Sequence, residues 1–213
     1  MLRIVFWKVR CAIVTTAGRW ASADRQRTVH YFAFGANLHP SVMRRRQIRV
    51  FAEEAMALQG YRLCFAQPGP WQGCGFATVV EEPGCAVWGK LYVIAASDAR
   101  RLEYEELVPI FGRHRKLELE QAGRRFFLFQ AVRPRLGLKP TARYLDYIVG
   151  GLEGYPGVPP EYVEALRGVE TARPGAISDS SGYLVKDVLA YPRSLRPLAR
   201  LYERLGAWTL SKL

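Results

Sequence analysis

Residues 31–38 read Tyr-Phe-Ala-Phe-Gly-Ala-Asn-Leu: a short apolar run, a break at Gly35, and a turn that passes through Asn37. The run predicts a buried strand over 29–34, and the break predicts that the chain turns there, with Gly35 free to take positive φ and Asn37 a turn former. Ser41 then reads as the N-cap of a short helix through Met43 to Arg46. Two readings of the turn stand side by side. It is an ordinary strand-to-helix connection, or its unpaired backbone N–H groups face a ligand.

Working outward, residues 58–65 alternate Tyr61, Leu63 and Phe65 in the manner of a strand, and 75–80 reads as another. The stretch between them is too rich in Gly and Pro for regular structure. Further strands are expected at 87–94, 117–119 and 126–132. Helices are expected at 99–107, capped by Asp98 or Ser97, at 142–152 with Tyr144, Ile148 and Leu152 on one stripe, and at 161–166 behind Pro159-Pro160. Short strands in the middle with a few helices around them indicate an α+β domain. Trp88 and Tyr92 read as core, and Thr78 fits either core or site.

Of 213 residues, 49% are hydrophobic and 23% charged, the balance of a globular chain. Lys and Arg number 31 against 19 acidic residues, a formal charge of +12 that favours anionic partners. The basic residues lie in short scattered groups, such as Arg44-Arg45-Arg46 and Arg124-Arg125, which read as solvated surface. No nucleic-acid partner is expected from that pattern. Four cysteines without a C-x-x-C pair, and three histidines, offer no metal spacing and fit buried thiols in a reducing, cytoplasmic compartment. No apolar run is long enough to span a membrane. Lys8 and Arg10 interrupt what would be a signal-peptide core, so residues 1–28 are expected to be an extension. Residues 171–213 form a second extension, with a helical stripe at Leu198, Leu201, Leu205 and Trp208 that is expected to pack on the core or on a second copy.

Four segments in order resemble the γ-glutamylcyclotransferase family: Phe34-Gly35-Ala36-Asn37-Leu38 after the first strand; Gly75-Phe76-Ala77-Thr78 followed by Pro83-Gly84-Cys85-Ala86-Val87-Trp88-Gly89; Leu102-Glu103-Tyr104-Glu105-Glu106-Leu107; and the closing helices around Tyr144–Gly150 and Pro159-Pro160-Glu161-Tyr162. The resemblance spans about residues 29–170 and departs from the family pattern at Phe34, Ala36, Leu107 and His114, where tyrosine, serine, glycine and tyrosine are usual. It implies a domain over 29–170 built on a small mixed, mostly antiparallel barrel-like sheet with surrounding helices. Spacing alone leaves Glu103, Glu105 and Glu106 as equal candidates; the family register selects Glu106 as the catalytic acid/base.

The implied reaction releases 5-oxoproline from a γ-glutamyl amine, amino acid or peptide by attack of the substrate's own α-amine on its γ-carbonyl. Tethering removes much of the entropic barrier, leaving proton transfer and oxyanion stabilisation to the protein. Glu106 is expected to have its pKa raised by apolar walls from Leu102, Leu107 and Val108. Phe34, Gly35, Ala36, Asn37 and Leu38 are expected to bind substrate, with backbone N–H groups holding the oxyanion or the carboxylate. No metal or cofactor is called for, and the expected partner is a small γ-glutamyl molecule. Two other readings are a protein of the same fold without turnover, and a basic module that binds polyanions or meets a membrane peripherally through its extensions.

Overall fold

The computed structural model describes residues 27–69, 73–106, 108 and 114–172; the amphipathic tail and nearly all of both extensions lie outside the described residues. Five strands, β1 (Thr28–Ala33), β2 (Val50–Pro68), β3 (Gly75–Ala95), β4 (His114–Gln121) and β5 (Arg124–Ala131), form one mixed sheet in the order β2-β3-β1-β5-β4. Around it stand the helices α1 (Pro40–Arg45), α2 (Ala96–Glu105), α3 (Ala142–Leu152) and α4 (Pro160–Arg167), and a 3-10 turn over Ala36–Leu38 follows β1. The class is α+β, as the sequence pattern indicates. Among the described residues no helix is long and apolar enough to cross a membrane.

Strand β1 lies in the middle of the sheet, antiparallel to β3 and parallel to β5. Tyr31, Phe32 and Ala33 are therefore buried on both faces, which is why the run is apolar without alternation. The Tyr31 ring lies 5.2 and 5.7 Å from those of Phe127 and Phe129 and 6.3 Å from that of Tyr92, while Phe32 lies 6.0 Å from Phe126. Each such pair adds roughly 0.5–1.5 kcal/mol to the burial of its area.

Four expectations change. The segments 75–80 and 87–94 are one strand, because the pairing of β2 with β3 shifts register between Gln59 and Tyr61 and the bulge absorbs Pro83 and Gly84. The sheet is open rather than barrel-like: β2 and β4 are its edges and share no ladder. Side chains reach across instead: Gln121 at the end of β4 is bonded to both the N–H and the C=O of Gln59 on β2 (3.2 and 3.3 Å), and Arg124 at the start of β5 is paired with Glu54 on β2. Finally, helix α1 is capped by His39, not Ser41. Its Nδ1 accepts the Ser41 N–H at 3.2 Å, and Pro40, which has no N–H to satisfy, opens the helix. Helix α2 likewise starts two residues before Asp98, whose carboxylate takes the backbone N–H and Nε of Arg49 at 3.0 and 3.2 Å.

Helix α3 falls on residues 142–152, with Leu145, Ile148 and Leu152 buried. It packs against the 3-10 turn so closely that a Cβ on Gly151 would sit 2.6 Å from the backbone carbon of Leu38. On the neighbouring Gly150 a Cβ would meet only the His39 ring, at an ordinary 3.4 Å. Gly→Ala in a helix normally stabilises by about 0.5–1 kcal/mol. Gly150→Ala is expected to follow that rule, whereas Gly151→Ala is expected to lose roughly 1–3 kcal/mol by overpacking. Urea denaturation of the pair checks this; equal effects would mean that α3 does not rest on the turn.

Candidate functional site

The turn leaves β1 with Phe34 buried and Gly35 at φ −115°, so the expected positive φ is not adopted. Proximity favours glycine there instead: a Cβ on Gly35 would lie a tight 3.0 Å from the Tyr144 hydroxyl, which would have to give by a few tenths of an ångström. Tyr144 sits in the first turn of α3, which Thr141 caps by accepting the Tyr144 N–H at 3.2 Å. The Tyr144 hydroxyl accepts the N–H of Ala77 at 3.1 Å and is hydrogen-bonded by the Ala36 backbone as well. The Leu38 N–H is bonded to Gly35 O at 2.9 Å. Two N–H groups expected to be free for a ligand are thus engaged inside the protein.

Asn37 is buried beneath the turn, and its Nδ2 donates to the Tyr31 hydroxyl at 2.7 Å and to Glu106 Oε1 at 3.2 Å. Glu106 follows the last residue of α2 and extends its final turn, with its N–H bonded to Leu102 O at 2.8 Å. Of the three glutamates that spacing leaves equal, Glu103 faces Lys116 on β4 at 2.9 Å, and Glu106 is the one that hydrogen-bonds the turn. The same Oε1 forms an ion pair with Arg46, and the His114 ring bonds Glu106 O through Nδ1 at 2.9 Å. Arg44 and Arg45 are exposed as a solvated helix predicts; Arg46, just past the end of α1, is turned inward.

These neighbours reverse the electrostatic expectation. Burial by itself pushes the Glu106 carboxyl up, but the charge of Arg46, then His114, and hydrogen bonds from Arg46 and Asn37 together hold it below the ordinary carboxylate value. Of the three residues expected to form apolar walls, Leu102 is buried and Val108 half-buried, and Leu107 lies outside the described residues. Arg46 is correspondingly raised: burial opposes its charge, and Glu106 more than offsets that. Burial also raises the Tyr31 and Tyr144 hydroxyls, with Glu106 adding to both and the backbone of Ala77 and Ala36 only partly countering it at Tyr144. Both remain protonated donors at neutral pH.

Tyr92 is buried, and its hydroxyl donates to Asn37 O and Leu38 O at 3.1 and 3.2 Å, so it props the turn from below. Thr78 is core: its Oγ1 accepts the Ala131 N–H at 2.9 Å. Arg46, Tyr31 and Tyr144 are the members of this constellation that the sequence does not single out as site residues. The sequence offers a signal only for Tyr144, as the first residue of the α3 stripe.

No family model and no curated protein matches the sequence. Solved structures do. A gamma-glutamyl cyclotransferase superposes with a TM-score of 0.58 at 23% identity over 76% of this chain and 99% of its own. An uncharacterized protein from Homo sapiens gives 0.60 at 25% identity with the same coverage, and YkqA from Bacillus subtilis 0.56 at 20% over 74% of this chain and 60% of its own. At these identities the likeness is one of architecture: the chain has the gamma-glutamyl cyclotransferase fold.

Proposed function

We propose that the protein is a γ-glutamylcyclotransferase-type enzyme that releases 5-oxoproline from a γ-glutamyl amine, amino acid or peptide, with Glu106 as its general acid/base. The 3.2 Å bond between Asn37 and Glu106 carries this reading, because it joins the turn after the central strand to a carboxylate 69 residues away in a half-buried cluster. Such a carboxylate, ionised and reachable, is the partner an α-ammonium needs.

Glu106 takes a proton from the α-ammonium, and the freed amine attacks the γ-carbonyl carbon. The new C–N bond closes the five-membered ring while the carbonyl electrons move onto oxygen. We assign the stabilisation of that oxyanion to the Tyr144 hydroxyl, which accepts from backbone N–H groups and is kept protonated by burial. Collapse restores the carbonyl and expels the amine. The two protons shed by the α-nitrogen end on the leaving group, which departs as an ammonium, and Glu106 returns to its starting state.

One observation favours the second reading, a protein of this fold without turnover: Tyr144 occupies the Ala36 backbone, and Ala36 stands where the family has serine. Purified protein incubated with a panel of γ-glutamyl compounds, with 5-oxoproline read by mass spectrometry, decides between them. Glu106→Gln is expected to fold normally and lose roughly 10²–10⁴-fold in rate. Glu105→Gln is expected to change little, since adjacent helix positions point about 100° apart. A near-normal rate in the Glu106 variant removes it as the base. Gly35→Val is expected to displace the Tyr144 hydroxyl and lower turnover with it; full activity in that variant would separate Tyr144 from the chemistry.

A further inference from the structure

We propose that the loop between β5 and α3, residues 132–137, is a docking tip for an anionic lipid surface. Val132 and Leu136 enter the bilayer surface, while Arg133 and Arg135 hold the headgroups. The loop reads Val-Arg-Pro-Arg-Leu-Gly, and all six residues are exposed. Val132 and Leu136 keep 46% and 68% of their surface, and Phe51 is the only other large apolar side chain exposed among the described residues. A single exposed apolar residue is ordinary. Two of them four positions apart, interleaved with two arginines, form a patch that is apolar and cationic at once.

The fold itself holds these residues out. Arg135 donates its backbone N–H to Ala66 O on β2 at 2.8 Å, and Gly137 turns the chain at φ 82°. Lys139 then ties the loop to the start of β3, donating to Gly73 O at 2.9 Å and accepting the Gly75 N–H at 2.8 Å. The independent observation is electrostatic. Neither the Arg133 nor the Arg135 guanidinium has a hydrogen bond or ion pair among the described residues. The exposed Arg62, Arg124, Arg125 and Arg167 each pair with a glutamate. No Asp or Glu occurs between Glu120 and Asp146, so the surrounding chain supplies no counter-charge.

Size and charge select the partner. A stable protein interface takes about 20–30 residues a side, and the tip offers six. A second copy is disfavoured further, because a two-fold contact sets four unpaired arginines against one another. A bilayer asks less. Aliphatic side chains enter the acyl boundary, arginine stems lie along it with their guanidinium groups at phosphate depth, and an anionic leaflet attracts each cation. The chain's formal charge of +12 adds a general attraction to the same surface. With two cations and two aliphatic anchors the contact is weak, reversible and sensitive to salt. It belongs to the folded domain and is independent of the chemistry at Glu106.

Co-sedimentation of the full chain with phosphatidylcholine vesicles, with and without phosphatidylserine, tests this. Binding is expected to the anionic vesicles alone and falls as salt rises. Replacing both loop arginines, Arg133→Gln with Arg135→Gln, is expected to weaken it about fivefold for each cation, roughly 25-fold together. Leu136→Ser is expected to weaken it roughly tenfold with no change in charge. A control pair, Arg124→Gln with Arg125→Gln, removes the same two charges at the start of β5 and is expected to leave binding nearly unchanged. Residues this exposed tolerate substitution without loss of the fold. Equal affinity for neutral and anionic vesicles, no binding to either, or equal losses from the two arginine pairs overturns the proposal. So does binding that survives the loop variants and vanishes when residues 195–213 are deleted, which would assign it to the tail. Loop variants that change the oligomeric mass and leave vesicle binding intact would make the tip a contact between copies and overturn it as well.

Discussion

The side chain of Asn37 joins the parts that must meet for a site to exist. Its nitrogen donates to Tyr31 on the central strand and to Glu106 beyond α2, and its carbonyl backbone accepts from Tyr92 on β3. All of these groups are buried or half-buried, so each bond is made where water does not compete for it. The surrounding packing serves that geometry. Tyr31 and Tyr92 are held as neighbouring rings of the aromatic core, and α3 closes over the turn with a glycine at the point of contact. A residue without an amide at position 37 would leave the Tyr31 hydroxyl and Glu106 without their common donor.

The ion pair between Arg46 and Glu106 sets the chemistry on that frame. A carboxylate enclosed by apolar walls waits in its neutral form and must ionise before it acts as a base. Here burial pulls in that direction and the guanidinium pulls harder in the other, so the free protein keeps Glu106 charged. The cost is a weaker base, since a carboxylate stabilised by a cation has less reason to accept a proton. The partial exposure of the pair, 22% and 19% of the two side chains, moderates this: the charges are screened more than in a dry interior.

Most of the fold was legible in the sequence because it is written in local periodicity. The run 29–34 becomes the middle strand; residues 142–152 are helical as the spacing of Tyr144, Ile148 and Leu152 requires. What local pattern misreads is set by pairing partners. The split of β3 into two strands follows Pro83-Gly84, which look like a terminator but sit in a bulge that β2 tolerates. Ser41 looks like a cap, yet His39 precedes Pro40 and reaches the same N–H. In the site, the break at Gly35 pointed to the turn, and the family register selected Glu106. Arg46 was hidden because it ends a basic triplet whose first two members are solvated, and nothing in the triplet says that the third residue lies past the helix end and points inward.

The departures at Phe34, Ala36 and His114 follow from the same geometry. Phe34 is buried with its ring 6.2 Å from that of Phe32, a position that packing alone satisfies and where a hydroxyl would need a partner. At Ala36 the backbone contributes through Tyr144, so the loss of a hydroxyl on that side chain leaves the bond to α3 intact. His114 bonds the backbone of Glu106 rather than its carboxylate, which fixes where the residue stands while leaving its side chain to Asn37 and Arg46. The substitutions therefore change the surroundings of the turn and spare the contacts that orient Glu106.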